Sequence, residues 1–123
     1  MTALCLTGGG AVVRLAVTAF TLAWSHTVEH TRWEEDWSVH PNALRLETAR
    51  VEGSGAGMDP GPDARRVGAM WVWHPGMELP AVSLRRAVEA GGDWRICTGP
   101  AGCQPLGALL PRAADPVQLS ACP

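Results

Sequence analysis

The chain has 123 residues, about the size of one domain, and we expect a single domain over residues 1–123. Its composition is 46% hydrophobic and 18% charged, which suits a packed core and excludes a disordered chain. Ten arginines, no lysine and 12 acidic residues give a formal net charge of −2. Such a chain lacks the cationic surface that a phosphate backbone needs, so we expect no nucleic-acid partner.

The first two dozen residues are apolar but are not expected to cross a membrane. A membrane-spanning helix needs about 20 consecutive apolar residues, and here three consecutive glycines from Gly8 and then Arg14 interrupt the run. From Thr18 onward, apolar and polar residues alternate, which is typical of a half-buried strand. No basic segment precedes the run, so no signal peptide is recognised.

Short runs with a period of two, separated by Gly, Pro and Asn, recur along the chain and predict an all-β domain. We expect a small antiparallel sandwich or a partly open barrel with little helix. In chain order, the predicted strands cover residues 11–15, 18–26, 34–40, 43–51, 69–74, 81–89, 93–97 and 117–120. Residues 53–63 hold four Gly and two Pro and predict a long loop. Only residues 84–90 and 104–110 are compatible with a short helical turn.

The tryptophans are expected to belong mainly to the core. On the strand over 34–40 and the residue before it, alternation places Trp33, Glu35 and Trp37 on one face. The opposite face carries Glu34 and Asp36, which we expect to be solvated. Each aromatic side chain buries roughly 150–250 Å², so six tryptophans supply much of the core of a chain this small.

The densest group of polar side chains lies in residues 24–37, which include two His, three Glu, one Asp and one Arg. If the strands over 18–26 and 34–40 are antiparallel neighbours, His26 and Glu35 both point to the apolar side at one end of the sheet. A charge there is costly unless it is paired. We therefore predict a hydrogen-bond network between His26 and Glu35, with Arg50 as a further candidate member.

Two interpretations of the His26/Glu35 pair stay open. The favoured one is a structural network that holds the strands in register, since buried polar networks perturb pKa values without catalysis. The alternative is a catalytic pair, although no Ser or Cys nucleophile is identifiable. His26 and His30 flank Glu29, but their order does not match the zinc-hydrolase helix motif. We expect no metal site and no cofactor.

Four cysteines stand at positions 5, 97, 103 and 122. Cys97 and Cys103 bracket a turn-forming segment and are candidates to face each other across a hairpin. Cys5 and Cys122 lie near opposite ends of the chain. An even count in these positions suits two disulfides and an oxidising compartment. The alternatives are a zinc site, whose usual short spacing is missing, and four reduced cysteines in a cytoplasmic protein.

Two motifs carry a family resemblance. The segment 20–37 reads FTLAWSHTVEHTRWEEDW, and residues 53–58 read GSGAGM. Together they resemble the bacterial domain of unknown function 1850 family, whose members share a His-Ser-Val-Glu motif, a Glu-rich strand and a Gly-Ala-Gly loop. Residues 4–6, 94–97 and 103–106 are also similar, so the resemblance covers nearly the whole chain. Thr27 replaces the usual Ser, and His30 stands where a Lys is common.

The family that the sequence resembles has no established activity, and the resemblance implies an accessory or binding protein. Its genes often lie beside those of tripartite (TRAP-type) transporters with a TAXI-type substrate-binding protein. The implied location is the periplasm or the outer face of the inner membrane, and the implied partner is the transporter's membrane subunit or its binding protein. The alternatives are a small hydrolase or metal-dependent enzyme using His26 and Glu35, and a purely structural protein. The candidate binding patch comprises His26, Glu29, Glu35, Arg50, Gly55 and Gly57.

Overall fold

Alternating polar and apolar residues produce strands throughout the computed structural model, which describes residues 2–25, 31–53, 62–86, 94–99 and 102–123. The first five strands are β1 (Ala3–Gly8), β2 (Ala11–Leu15), β3 (Ala19–Ser25), β4 (Arg32–His40) and β5 (Ala43–Glu52). Then follow β6 (Arg65–Val67), β7 (Met70–Trp73), β8 (Met77–Leu79), β9 (Ala81–Leu84), β10 (Arg95–Cys97), β11 (Cys103–Pro105) and β12 (Val117–Cys122). A 3-10 turn covers Leu106–Ala108.

The strands form two antiparallel sheets that face each other across a shared core. The first sheet has the strand order β2-β1-β12-β9. The second has the order β11-β10-β3-β4-β5-β7-β6, and β8 pairs with β5 beside this path. This arrangement confirms the predicted all-β fold, and of the two expected architectures the sandwich is the one that forms.

The main core lies between the two sheets. Its fully buried side chains come from both of them: Leu4, Leu6 and Leu119 from the first, and Leu22, Leu44 and Ile96 from the second. A smaller apolar cluster lies on the same face of the second sheet, around Ala49, Val51 and Trp73. We call this face of the second sheet, which is turned towards the core, its inner face, and the opposite face its outer face.

Both expected cysteine pairs are disulfide-bonded. Cys5 joins Cys122 and thereby links β1 to β12 within the first sheet. Cys97 joins Cys103, its direct partner in the ladder between β10 and β11. The zinc and reduced-thiol alternatives are therefore wrong for these four cysteines.

Most strand predictions agree with the structure, and the differences have simple causes. β1 was not predicted because its run of apolar residues does not alternate clearly. The strands β6, β8 and β11 have only three residues each, which is too short for a period of two to be recognised. The strand predicted over 81–89 ends at Leu84. Among the described residues, no helical segment has the length and apolar character to span a membrane.

Candidate functional site

A row of aromatic side chains crosses the end of the inner face of the second sheet. Trp24 of β3 pairs in register with Trp33 of β4, Trp33 pairs with Val51 of β5, and Val51 pairs with Trp71 of β7. We call these four residues the tryptophan row. Trp94 extends it at the β3 side, because its ring stacks on Trp24 with centroids 6.0 Å apart. The three row tryptophans are only half-buried, so their rings also form surface.

Glu35 lies one position further into the sheet than the tryptophan row. Its ladder partners are Leu22 on β3 and Ala49 on β5, and Ala49 in turn pairs with Trp73. All three of these neighbours are buried and apolar. The prediction that Glu35 shares the apolar face of Trp33 and Trp37 is therefore confirmed, since those residues alternate with Glu34 and Asp36 along β4.

The chemistry of Glu35 follows from this position. Burial raises the pKa of its carboxyl group, and the hydrogen bond from Trp37 opposes that shift. The Trp37 indole Nε1–H donates to Glu35 Oε1 over 3.2 Å. Among the described residues, no cation forms an ion pair with Glu35. Such a carboxyl group holds its proton more readily than an exposed one and provides a polar contact in an apolar surrounding.

Arg50 does not join Glu35, which corrects the expected pairing. Arg50 is the ladder partner of Glu34 and lies on the outer face. Its Nε donates to Glu34 over 2.9 Å, and its two terminal nitrogens donate to Asp36 over 2.7 and 2.8 Å. The cause is a β-bulge: Asp36 pairs with Thr48 but Trp37 pairs with Leu46. The extra residue in β5 moves Arg50 to the outer face.

The outer-face ion cluster also changes the interpretation of Glu34 and Asp36. They do not form a freely solvated face, because both carboxylates are partly buried and bound to Arg50. The pKa of Asp36 is lowered mainly by its hydrogen bonds from Arg50, against the effect of burial, and Thr21 Oγ1 donates a further bond over 2.7 Å. The same carboxylates raise the pKa of the Arg50 guanidinium. The cluster ties β3, β4 and β5 together.

Four of the candidate patch residues, His26, Glu29, Gly55 and Gly57, lie outside the described residues, so the His26–Glu35 network stays a prediction. The described residues next to the segments 26–30 and 54–61 lie side by side. Ser25 pairs with Arg32, whose guanidinium lies 3.9 Å from the Glu52 carboxylate. A Cβ atom on Gly53 would lie 3.8 Å from Thr31. Ser25, Thr31 and Gly53, the last described residues before or after these segments, therefore lie at the end of the sheet that carries the tryptophan row.

Sequence reasoning did not identify the tryptophan row as a unit. Alternation assigned both Trp33 and Trp37 to the core. Of the six tryptophans, only Trp37 and Trp73 are buried in the structure. The row depends on which strands are neighbours and in which register, and a single sequence does not contain that information. Within the described ranges, no group of three or more His, Cys, Asp or Glu is arranged to hold a metal ion.

Comparison with known proteins gives a family but no characterised relative. No curated protein and no solved structure matches the chain. The family model described as a domain of unknown function (DUF1850) matches residues 20–106. The match contains both motif segments, the tryptophan row and Glu35. Because it spans more than half of the 123 residues, the chain belongs to the DUF1850 family.

Proposed function

We propose that this chain is a non-enzymatic binding domain that works outside the cytoplasm as an accessory to a TAXI-type TRAP transporter. It acts as a single domain over residues 1–123. Its contact surface is the end of the second sheet formed by the tryptophan row and Glu35. The partner is the transporter's membrane subunit or its solute-binding protein.

The observation that carries the proposal is the position of Glu35. A carboxyl group on an apolar face lowers stability unless it is neutral or finds a partner. Its position beside half-buried tryptophans suits a contact surface, since tryptophan is enriched in binding hot spots and apolar surface patches mark binding sites. Within the described residues, the Glu35 carboxyl group accepts a hydrogen bond from the Trp37 indole. A donor or cation from the partner would add a second contact.

The location outside the cytoplasm is supported by the two disulfides. All four cysteines are paired. Structural disulfides form and persist in oxidising compartments and are rare in the cytosol. The transporter as the partner is supported by the family to which the chain belongs, whose genes often lie beside those of such transporters.

Co-purification tests the proposal. The tagged full chain is expressed together with the membrane subunit and the solute-binding protein of a TAXI-type TRAP transporter from the same organism, and the amounts recovered with it are quantified. We expect Glu35→Gln to reduce recovery about tenfold, as loss of a charged hydrogen bond predicts. Glu29→Ala is expected to have a similar effect through the adjacent motif.

The matched control is Glu47→Gln, which neutralises an exposed carboxylate on the bulged part of β5. This variant should recover the transporter components as well as the native chain does. Melting temperatures are measured in parallel to exclude unfolding. Equal recovery with Glu35→Gln and the native chain would contradict the contact surface, and no recovery with the native chain would contradict the transporter as partner.

The raised pKa of Glu35 is the one observation that favours a hydrolase, since a general acid needs a carboxyl group that holds its proton more tightly than an exposed one. Hydrolysis of p-nitrophenyl acetate distinguishes the two functions. A binding domain gives no turnover above background. Turnover that both His26→Ala and Glu35→Gln abolish, in folded protein, would establish the enzyme instead.

A further inference from the structure

A groove of about 500 Å³ lies at the free edge of the second sheet. Asp63, Arg65, Val67, Val72 and His74 line it, on and beside the β6–β7 hairpin. Its volume falls within the range of roughly 300–1,000 Å³ that is usual for small-molecule sites. It combines an apolar wall with three charged or titratable groups.

The strand ladder determines which side chains enter the groove. Arg65 is the direct partner of Val72, and Val67 is the partner of Met70. Val72 also pairs with Arg50, whose side chain belongs to the outer face. Since residues two apart on a strand share a face, Val67 and Arg65 lie on the outer face as well. The groove is therefore on the opposite side of the sheet from the surface proposed above.

The imidazole of His74 is held in place by Asp63. The Asp63 carboxylate accepts the backbone N–H of His74 over 3.1 Å and lies 3.3 Å from His74 Nδ1. A carboxylate only accepts hydrogen bonds, so Nδ1 carries a hydrogen and donates it. The Asp63 carboxylate is therefore engaged by His74.

Arg65 and its neighbour Arg66 differ in the groups that surround their guanidinium groups. The Arg66 guanidinium lies over the Trp71 ring, 5.9 Å from its centroid, on the inner face. Among the described residues, no carboxylate lies within ion-pair distance of Arg65, because Asp63 is bound to His74 instead. A guanidinium without a counter-ion beside apolar side chains matches a planar anion with an apolar part.

We infer that this groove binds a small organic carboxylate. The carboxylate group lies against the Arg65 guanidinium. The apolar part of the ligand lies against Val67 and Val72. Of these two, Val67 has 62% of its surface exposed in the free protein. The inference is independent of the transporter proposal, since it uses other residues on another face.

Titration with butyrate tests the inference, followed through the backbone amide NMR signals of Val67, Val72 and His74. We expect saturable shifts in these signals with butyrate. Butyramide, a neutral molecule of nearly the same shape, is expected to bind at least about tenfold more weakly, because it lacks the charge that Arg65 recognises. Arg65→Gln should weaken butyrate binding by a similar factor.

Arg66→Gln is the matched control, because it removes the same charge from the adjacent residue on the opposite face. It should leave the affinity for butyrate unchanged. Val67→Ser should weaken butyrate about threefold and leave inorganic sulfate unaffected, since only butyrate gains from apolar contact. Equal butyrate affinity in Arg65→Gln and the native chain would overturn the site. Sulfate binding as tight as butyrate binding would overturn the organic part of the ligand.

Discussion

Arg50 binds Asp36 through a two-point contact, with Nη1 donating to Oδ2 over 2.7 Å and Nη2 donating to Oδ1 over 2.8 Å. Paired in this way, guanidinium and carboxylate form one of the stronger polar contacts in proteins. The third donor of Arg50, Nε, binds Glu34. The guanidinium is therefore directed to the outer face, and it forms no ion pair with Glu35 on the inner face.

The Arg50–Asp36 contact is expected to support the fold in a pH-dependent way. Asp36→Asn should lower the free energy of unfolding by about 1–2 kcal/mol at pH 7, since the contact is only partly buried. The pKa of Asp36 is lowered from 3.8 in the folded protein. Its contribution is therefore fully present above the unfolded pKa and is lost as the pH falls through the lower, folded pKa. Urea unfolding between pH 7 and pH 2 measures both effects.

Thr21→Val is the control for the Asp36→Asn measurements, because it weakens the surroundings of Asp36 only in part. It removes the hydroxyl donor to Asp36 but leaves the Arg50 contact intact. We expect a loss smaller than that of Asp36→Asn and an acid-induced decline close to that of the native chain. A decline in Asp36→Asn as steep as in the native chain would show that other carboxylates cause it.

Glu35 is expected to affect stability with the opposite sign. Its folded-state pKa is raised from 4.5, so the folded protein holds this proton more tightly than the unfolded chain. Its contribution is favourable at low pH and is lost as the pH rises through the folded pKa. Glu35→Gln keeps an acceptor for Trp37 and removes the charge. It should raise the melting temperature by about 2–5 °C at pH 7 and by less at pH 4.

A lower melting temperature of Glu35→Gln at pH 7 would contradict this prediction. It would mean that the charge of Glu35 is satisfied in the free protein and holds the strands together. Combined with the co-purification experiment, the measurement separates a binding role, in which recovery falls and stability rises, from a structural one.

The two disulfides are expected to contribute unequally. Cys5 and Cys122 are 117 positions apart, whereas Cys97 and Cys103 are 6 apart. Loop-closure entropy predicts a stabilisation of about 5 kcal/mol for the long loop and about 2 kcal/mol for the short one. Replacing both members of a pair by serine should therefore lower the free energy of unfolding more for Cys5–Cys122, as guanidinium denaturation can measure. Equal losses for the two double variants would contradict the entropic account.

Arg86 is expected to be the most sensitive arginine in the described part of the chain. It is 9% exposed, and its Nη1 donates to the carbonyl oxygens of Pro111 and Ala114. Arg86→Met retains much of the volume but removes the guanidinium donor from both carbonyls, of which that of Pro111 keeps the Ala114 N–H. We expect a loss of about 2–4 kcal/mol in unfolding free energy. Arg85→Met, at the exposed neighbouring position, should change it by less than about 0.5 kcal/mol.

Local alternation was sufficient to predict the all-β class and the two faces of β4. Trp37 and Val39 are buried, and Glu35 shares their face. These features depend on a period of two, which any extended chain obeys. The disulfide Cys97–Cys103 could also be predicted from the sequence. The turn-forming segment between the two cysteines makes them direct partners in the ladder between β10 and β11.

The face on which Arg50 lies could not be predicted from alternation. Counting alternate residues from Leu44 and Leu46 would place Arg50 on the inner face, with Glu35. In the structure, the bulge at Glu47 moves the buried positions to Ala49 and Val51, and Arg50 turns to Glu34 and Asp36. A single extra residue reverses every following side chain. That reversal depends on pairing with the neighbouring strand, so no pattern within β5 alone reveals it.

The amino-acid pattern was thus enough to establish most of the longer extended segments and the apolar side of β4, since both follow from the geometry of one strand. Which polar groups meet was established only when the strands assembled. The tryptophan row, the Arg50 cluster and the Arg65 groove each combine residues from two or more strands. Their composition depends on strand order and register, which arise from packing the two sheets against a common core.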